Sequence, residues 1–269
     1  MTTPDEMGLT PEAACGYESY FVPAIFAQWP PIMAEAAGVS PGDNVLDVGC
    51  GTGIFTREAL RLVGTEGTVT GADLSESMLT VARDTCAAAE FRQCSVMSLP
   101  FDEGQFDAVV SSFMLMFVPE PATGLKEMAR VLRPGGRMAI SVWEGLNSND
   151  VYSALVDIVS DVVSEEAGES IAWPFTLGAE GKLAELFAQA GLSVSSVSVH
   201  AGLALFPSVS EFVKTEIESW LLADSVSESQ MAEIVAQADS EFLQYYDASK
   251  GMEFPFNAAV ASYTKPSGA

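Results

Sequence analysis

Three glycines and two carboxylates in the first third of the chain have the types and spacing that suit binding of a small organic ligand. Gly49, Gly51 and Gly53 alternate directly after a predicted buried strand, which brings backbone N–H groups and a helix N-terminus close to a ligand. Asp47 lies two residues before the first glycine, and Asp73 follows 24 residues after it. At that separation a carboxylate can accept hydrogen bonds from both hydroxyls of a ribose.

A nicotinamide dinucleotide is the first alternative ligand, and two residues disfavour it. The fingerprint of the nicotinamide oxidoreductases, G-x-G-x-x-G, would need glycine where Ile54 stands. Asp47 would also lie beside a pyrophosphate and repel it. The loop therefore favours a ligand without phosphate and with a cationic end.

The elements around this loop alternate between strands and helices. Five such strands predict an α/β fold with a doubly wound, mainly parallel, Rossmann-like sheet, whose ligands bind beyond the carboxyl ends of the strands. The predicted strands are 44–48, 69–73, 91–96, 106–111 and 137–143, and the predicted helices are 54–63, 76–88 and 119–132.

The remaining segments complete one predicted domain over residues 1–269. An N-terminal helical segment at 17–38 begins the cofactor-binding core, which extends over 17–143. Two further strands at 192–205 and 254–263 bring the number of strands in the sheet to seven. Further helices are predicted at 147–163, 180–190, 209–222 and 227–246. The last two are longer than a hairpin needs, so we expect a helical cap inserted at 207–248, before the last strand.

The net charge of the chain argues against some classes of binding partner. The 269 residues carry 37 acidic and 12 basic side chains, for a net charge of −25. A surface this negative repels phosphates, which argues against nucleic-acid and anionic-membrane partners. The excess is larger in residues 138–269, with 19 acidic and 4 basic side chains, than in residues 1–137, with 18 and 8. Two explanations of the acidic excess remain open: the carboxylates keep the protein hydrated in a saline setting, or they form a site that attracts cations or repels anions.

The cysteines and the N-terminus predict a cytoplasmic location. Four cysteines show neither paired nor metal-binding spacing, so we expect reduced thiols and no metal site. The first residues lack the features of a signal peptide, and no apolar run approaches the roughly 20 residues that cross a bilayer. The one histidine, His200, is predicted to be structural.

Five motifs in order carry a resemblance to a known family. They are VLDVGCGTG (45–53), GADLSESML (71–79), SLPF (98–101), FDAVVSSF (106–113) and RVLRPGG (130–136). The chain resembles the S-adenosylmethionine-dependent methyltransferases of the seven-stranded (class I) type, in the ubiquinone/menaquinone-biosynthesis-like small-molecule branch. The resemblance implies transfer of a methyl group from S-adenosyl-L-methionine (SAM) to an O, S, N or C nucleophile of a small molecule, by a monomer or homodimer.

The resemblance also implies roles by position. The glycine loop would line the methionine part of SAM with the help of Asp47, Asp73 would hold the ribose, and the loop after the third strand would face the adenine. The implied cofactor-binding residues are Asp47, Gly49, Cys50, Gly51, Gly53, Asp73, Leu74, Met78, Ser95, Val96, Met97 and Ser111.

Two departures from the family pattern affect these roles. Ser95 stands where relatives usually have Asp, so recognition of the adenine amino group would be looser or made by backbone. Met116 and Phe117 stand where relatives often have His or Gln, which puts polar catalysis from that position in doubt. A module that binds without catalysing is therefore the alternative function.

Substrate and catalytic residues follow from the expected position of the pocket. We expect a proton acceptor, if the reaction uses one, at Tyr20 or Glu144. The substrate would contact residues of the N-terminal segment and those that follow strands four and five, namely Tyr17, Phe21, Phe113, Met116, Phe117 and Trp143, with Phe206 and Trp220 as further wall candidates in the cap.

Overall fold

A seven-stranded sheet forms the centre of the computed structural model, which describes residues 10–218 and 226–267. The strands lie in the order β3-β2-β1-β4-β5-β10-β6. Their bounds are β1 Asn44–Val48, β2 Thr68–Asp73, β3 Glu90–Gln93, β4 Phe106–Ser112, β5 Leu132–Trp143, β6 Ser196–His200 and β10 Ala258–Thr264.

Strands β1 to β5 pair in parallel, whereas β10 runs antiparallel to both of its neighbours, β5 and β6. The predicted α/β fold with a mainly parallel seven-stranded sheet is therefore confirmed. The central strands are apolar and buried on both faces because helices cover both sides of the sheet. The chain order reverses between β1 and β4, which places the switch point of the sheet beside the glycine loop.

Ten α-helices accompany the strands in the described part of the chain. They are α1 Pro11–Gly16, α2 Trp29–Ala36, α3 Ile54–Val63, α4 Glu76–Thr85, α5 Pro121–Val131, α6 Asp150–Val162, α7 Glu165–Ala172, α8 Lys182–Gln189, α9 Val209–Glu218 and α10 Glu228–Glu241, and a π-helix, Tyr17–Phe26, follows α1 directly. Ser75 caps α4 as its position suggests, since its hydroxyl accepts a hydrogen bond from the Met78 N–H.

The structure corrects the last two predicted strands, 192–205 and 254–263. Each of them is divided into two strands that belong to different sheets. Residues Leu203–Phe206 form β7 and residues Gly251–Pro255 form β9, which pair with each other and with β8, Tyr246–Asp247, in a separate three-stranded sheet. The sequence does not reveal the break, because residues 201–206, AGLALF, continue the apolar character of the predicted strand across it.

Strands β6 and β10, together with β7 and β9, therefore form one long antiparallel hairpin that bends between the two sheets. At the bend, the Phe256 N–H donates to the Gly202 carbonyl over 2.9 Å. A side chain at position 202 would lie 2.4 Å from the indole of Trp29, so only glycine fits there. The segment between the hairpin arms contains α9 and α10, the expected cap.

Candidate functional site

One large cavity of about 410 Å³ opens at the carboxyl ends of the parallel strands. Its walls come from the π-helix, from the loops after β1 to β5, and from α6, α7 and α9. This is the position that the fold rule predicts for a ligand site. No cluster of metal-ligating side chains occurs within residues 10–218 and 226–267, and none of the helices described there has the length and apolarity to span a membrane.

The glycine loop after β1 approaches the cavity through Gly49 and Gly51. Both have positive φ angles, 70° and 52°, a conformation in which side chains are rarely found. A Cβ at Gly49 would lie 2.3 Å from Cγ of Met114, whereas a Cβ at Gly51 would have Tyr17 as its nearest neighbour, at 4.0 Å. Gly49 is therefore required for packing, and Gly51 keeps a ligand-facing surface open.

Asp73 at the end of β2 lies against the same loop. Its Oδ2 accepts the Gly51 N–H over 2.8 Å and its Oδ1 accepts the Ser75 N–H over 2.9 Å. Enclosure of the carboxylate raises its pKa, an effect that these backbone donors oppose. Each oxygen keeps a second lone pair, so the carboxylate can still accept hydrogen bonds from a ligand in the cavity.

Asp47 lies behind the loop and not in the large cavity. Its side chain is 1% exposed, and its Oδ2 accepts the Thr56 hydroxyl of α3 over 2.6 Å. Burial raises the pKa of Asp47 to about 7, against the effect of the Thr56 hydroxyl. Asp47 and Cys50, both expected to bind the cofactor, do not line the large cavity but a small adjoining one, together with Thr52. The structure thus makes Asp47 an internal brace between β1 and α3.

A row of stacked aromatic rings forms one side of the large cavity. Phe113 stacks on Trp143 with ring centroids 3.8 Å apart, Trp143 on Phe256 at 4.0 Å, and Phe256 on Tyr152 at 4.8 Å. The interplanar angles are 23°, 28° and 20°. Phe113 has a φ of 55° and is the one non-glycine residue with positive φ in the described part of the chain. This unusual backbone sets the first ring of the row beside the glycine loop.

The row ends at a buried acid. The Tyr152 hydroxyl donates to Oε1 of Glu216 on α9 over 2.8 Å, and both side chains line the cavity. Glu216 is 6% exposed, and its burial raises its pKa to about 7. Burial and the neighbouring acid raise the pKa of Tyr152, so its hydroxyl remains a donor at neutral pH.

Most of the predicted ligand contacts do lie on the cavity wall. Those brought together there come from the N-terminal segment and from the ends of five strands. They are Tyr17, Gly49, Gly51, Asp73, Leu74, Met78, Ser95, Val96, Met97, Phe113, Phe117 and Trp143. The Ser95 hydroxyl accepts the Met97 N–H over 3.2 Å, which orders the loop expected to face an adenine.

Both predicted proton acceptors lie elsewhere, which corrects that expectation. Tyr20 is 66% exposed on the outer side of the π-helix, whose buried side includes Phe21. Glu144 does not line the cavity, and its carboxylate accepts a hydrogen bond from the Asn257 side-chain amide over 3.2 Å.

Four further residues are packed inside the protein and do not line the cavity. Phe21 and Met116 are 2% and 3% exposed and belong to the core. Ser111 is fully buried on β4, and its neighbour Ser112 lines the cavity instead, because successive side chains of a strand point to opposite faces. Gly53 serves helix packing, since a Cβ there would lie 2.9 Å from Sγ of Cys86.

Phe206 and Trp220 are the two further candidates for the cavity wall. Phe206 is 5% exposed and packs in the core beside the small sheet. Trp220 lies outside the described residues.

The sequence reasoning missed several lining residues in the first half of the chain, among them Phe26, Ser112 and Met114. It also missed every lining residue beyond Trp143. These are Tyr152 on α6, Ser170 and Ile171 on α7, Pro174 and Phe175 in the turn after α7, Glu216 on α9 and Phe256 at the hairpin bend. One signal was available. Glu216 stands at a core position of α9, whose apolar stripe includes Phe212, Val213 and Ile217, and an acid within such a stripe is unusual.

Comparison with the sequences of known proteins gives matches to part of the chain. Residues 46–140 match a family model described as a methyltransferase domain. The ubiquinone/menaquinone biosynthesis C-methyltransferase UbiE of Teredinibacter turnerae is 40% identical over 118 residues, which are 42% of this chain and 47% of that protein. UbiE of Cronobacter sakazakii is 35% identical over 153 residues, which are 52% and 61% of the two chains. The matches thus span about half the length of these relatives.

Solved structures extend the likeness of fold to most of the chain. Haemonchus contortus phosphoethanolamine N-methyltransferase 2, in complex with phosphomonomethylethanolamine and S-adenosylhomocysteine, aligns with a TM-score of 0.60 at 20% identity, over 97% of this chain and 59% of that one. The [4+2]-cyclase SpnF aligns with a TM-score of 0.57 at 20% identity, over 90% and 82% of the two chains. At this identity the alignments show a common fold.

Proposed function

We propose that this chain, which carries a methyltransferase domain at residues 46–140, is a SAM-dependent methyltransferase acting on a small molecule. The observation that carries the proposal is the bond from the Gly51 N–H to Asp73 at the edge of the cavity. It joins an open glycine surface to a carboxylate that can accept hydrogen bonds from the hydroxyls of a ribose.

The residues present fit SAM as the bound group. Gly51 leaves a cradle that a Cβ would fill, and Asp73 offers acceptors to the ribose hydroxyls. Leu74 and Met78 would contact the ribose or adenine, with Ser95 and its neighbours at the adenine edge. The buried Ser112 hydroxyl makes no hydrogen bond within the described residues, so it is available to a polar group of a ligand.

When bound, SAM would supply an electrophilic methyl group on a sulfonium, which a nucleophile can take by in-line displacement as the sulfur–carbon bond breaks. The chain positions the nucleophile, an effect worth several kcal/mol. The aromatic walls exclude water from the reacting groups. Burial, with Asp73 and Glu18 nearby, raises the pKa of Tyr17, so its hydroxyl acts as a donor and not as a base.

Binding of S-adenosylhomocysteine, measured by calorimetry, tests this proposal together with methyl transfer. We expect a Kd in the micromolar range and transfer of labelled methyl from SAM to members of a metabolite library, read by mass spectrometry. A chain that does not bind at high micromolar concentration would refute the assignment of the cofactor.

The non-catalytic alternative has no support in the comparisons. A chain that binds S-adenosylhomocysteine but methylates nothing in the library would favour it. The likeness to a [4+2]-cyclase shows why this control matters, since a shared fold does not select the reaction.

We further propose a cytoplasmic enzyme, monomeric or homodimeric, built as one domain with a cap at 207–248. The cysteines Cys15, Cys50, Cys86 and Cys94 are unpaired, which supports a reducing compartment. The acidic surface supports a substrate other than nucleic acid or membrane.

A further inference from the structure

Glu216 is a buried carboxyl group whose hydrogen bonding is incomplete. Oε1 accepts the Tyr152 hydroxyl over 2.8 Å, and Oε2 makes no hydrogen bond within the described part of the chain. The side chain lines the large cavity although only 6% of its surface is exposed. A carboxylate in such surroundings is unfavourable unless a cation or several donors complete its shell.

The charges of the cavity wall are of one sign. Among the described residues that line it, Asp73 and Glu216 are acidic, and there is no lysine, arginine or histidine. Lys214, on the same helix as Glu216, is exposed on the outer side. No basic side chain of the described wall therefore pairs with Glu216, and an anionic ligand would meet repulsion.

The aromatic row fixes where Glu216 lies relative to the glycine loop. Phe113 borders the loop, and Tyr152 stands at the other end of the row, three stacking steps of 3.8, 4.0 and 4.8 Å away. A molecule along this row would present one end to the cofactor region and the other to the Tyr152–Glu216 pair.

We propose that Glu216 is a specificity-determining residue that binds a protonated amine on the substrate, at the end remote from the methyl acceptor. The placement of the acceptor rests on the proposed methyltransferase function. A protonated amine has no lone pair and cannot attack a methyl group, so it anchors the substrate while a different atom reacts. The substrate class is then an amine with an apolar or aromatic body.

Calorimetry with three probes of one shape tests the proposal at pH 8: 4-phenylbutylamine, 4-phenylbutanol and 4-phenylbutyrate, each with and without saturating S-adenosylhomocysteine. We expect the amine to bind at least tenfold more tightly than the alcohol, and the carboxylate not to bind. Equal affinity for amine and alcohol, or no binding of the amine, would overturn the proposal.

Glu216→Gln keeps the shape of the side chain and an acceptor for Tyr152. It should weaken binding of the amine at least tenfold and leave binding of the alcohol within about twofold. Glu211→Gln, on the exposed side of the same helix, is the matched control and should change neither. An unchanged amine affinity in Glu216→Gln would contradict the assignment.

Two further measurements separate the possible failures. Tyr152→Phe retains the carboxylate, so the preference for amine over alcohol should persist, and its loss would also count against the proposal. Affinity for S-adenosylhomocysteine should be unchanged in Glu216→Gln. If the parent protein failed to bind S-adenosylhomocysteine but still selected the amine through Glu216, the cofactor assignment would fail and the amine site would stand.

Discussion

Gly51 and Asp73 are joined by a 2.8 Å hydrogen bond from backbone N–H to carboxylate, which ties the loop after β1 to the end of β2. The same carboxylate also accepts the Ser75 N–H at the start of α4. One side chain thereby sets the relative positions of the two segments that would hold the two halves of a nucleoside-containing ligand.

Asp73→Asn should weaken binding of S-adenosylhomocysteine by more than tenfold, or about 1.4 kcal/mol, because the neutral amide is a poorer acceptor for ribose hydroxyls. Calorimetry measures the loss, and circular dichroism checks that the fold persists. Asp102→Asn, at an exposed loop position, is the control and should bind as the parent does. Equal affinities for the two variants would refute the ribose assignment.

Alanine at Gly49 and at Gly51 should have different consequences. Both variants place a side chain at positive φ, at a cost of about 1 kcal/mol. Gly49→Ala should also destabilise the fold, since its Cβ would overlap Met114, whereas Gly51→Ala should fold and lose affinity for S-adenosylhomocysteine. Thermal melting and calorimetry, run on both variants, distinguish the two effects. A Gly51→Ala protein with unchanged affinity would show that the loop is not the ligand surface.

The free energy of unfolding should depend on pH through Glu216. Its pKa is about 7 in the folded protein, above the value near 4.5 of an exposed glutamate, so the folded state is favoured below pH 4.5 and loses this advantage as pH rises through 7. Glu216→Gln removes this dependence. We expect the stability of the variant relative to the parent to rise between pH 5 and 8 by up to about 3 kcal/mol.

Urea unfolding of both proteins at several pH values measures that difference. Tyr152 is the titratable partner of Glu216, and its raised pKa keeps it neutral throughout the range. Asp47, whose pKa is also about 7, contributes equally to parent and variant and cancels. A difference that stayed constant with pH would mean that Glu216 is not shielded from water in the folded protein.

The N-terminal segment should loosen when Glu18 is changed. Its carboxylate accepts the Thr52 hydroxyl of the glycine loop and pairs with Arg57 at 3.0 Å, which holds the π-helix against α3. Glu18→Gln should cost no more than about 1 kcal/mol because the ion pair is partly exposed. Hydrogen exchange over 17–26 should quicken several-fold, with Glu12→Gln as the exposed control. Unchanged exchange would mean that apolar packing alone holds the segment.

The sheet and the cofactor end of the site were predictable because local patterns determine them. Buried strands that alternate with helices predict a doubly wound, mainly parallel sheet, which is confirmed, although they do not give the spatial order of its strands. The motifs at 45–53 and 71–79 carry the resemblance, which is confirmed over residues 46–140. The roles assigned to individual residues of the site stay predictions. The residues around Gly51 and Asp73 lie together on the cavity wall, because the carboxyl ends of parallel strands meet at one edge of the sheet.

The substrate end could not be predicted in the same way. Ser111 and Ser112 are adjacent on β4, so their side chains point to opposite faces of the sheet, and only that of Ser112 lines the cavity. Tyr152 and Glu216 are 64 residues apart in sequence, and Phe256 follows 40 residues after Glu216, so the bend of the hairpin and α9 must bring them together. No local pattern records such long-range contacts.

The bent hairpin has a consequence for how this molecule can change over evolutionary time. The proposed cap lies between β7 and β9, while the glycine loop and Asp73 precede it by more than a hundred residues. Because the arms of the hairpin are paired below it, we expect insertions, deletions and exchanges of the whole cap to leave the register of β6 on β10 unchanged. Replacement of this one contiguous block of coding sequence would then change the part of the cavity wall that contains Glu216 and leave the glycine loop as it is.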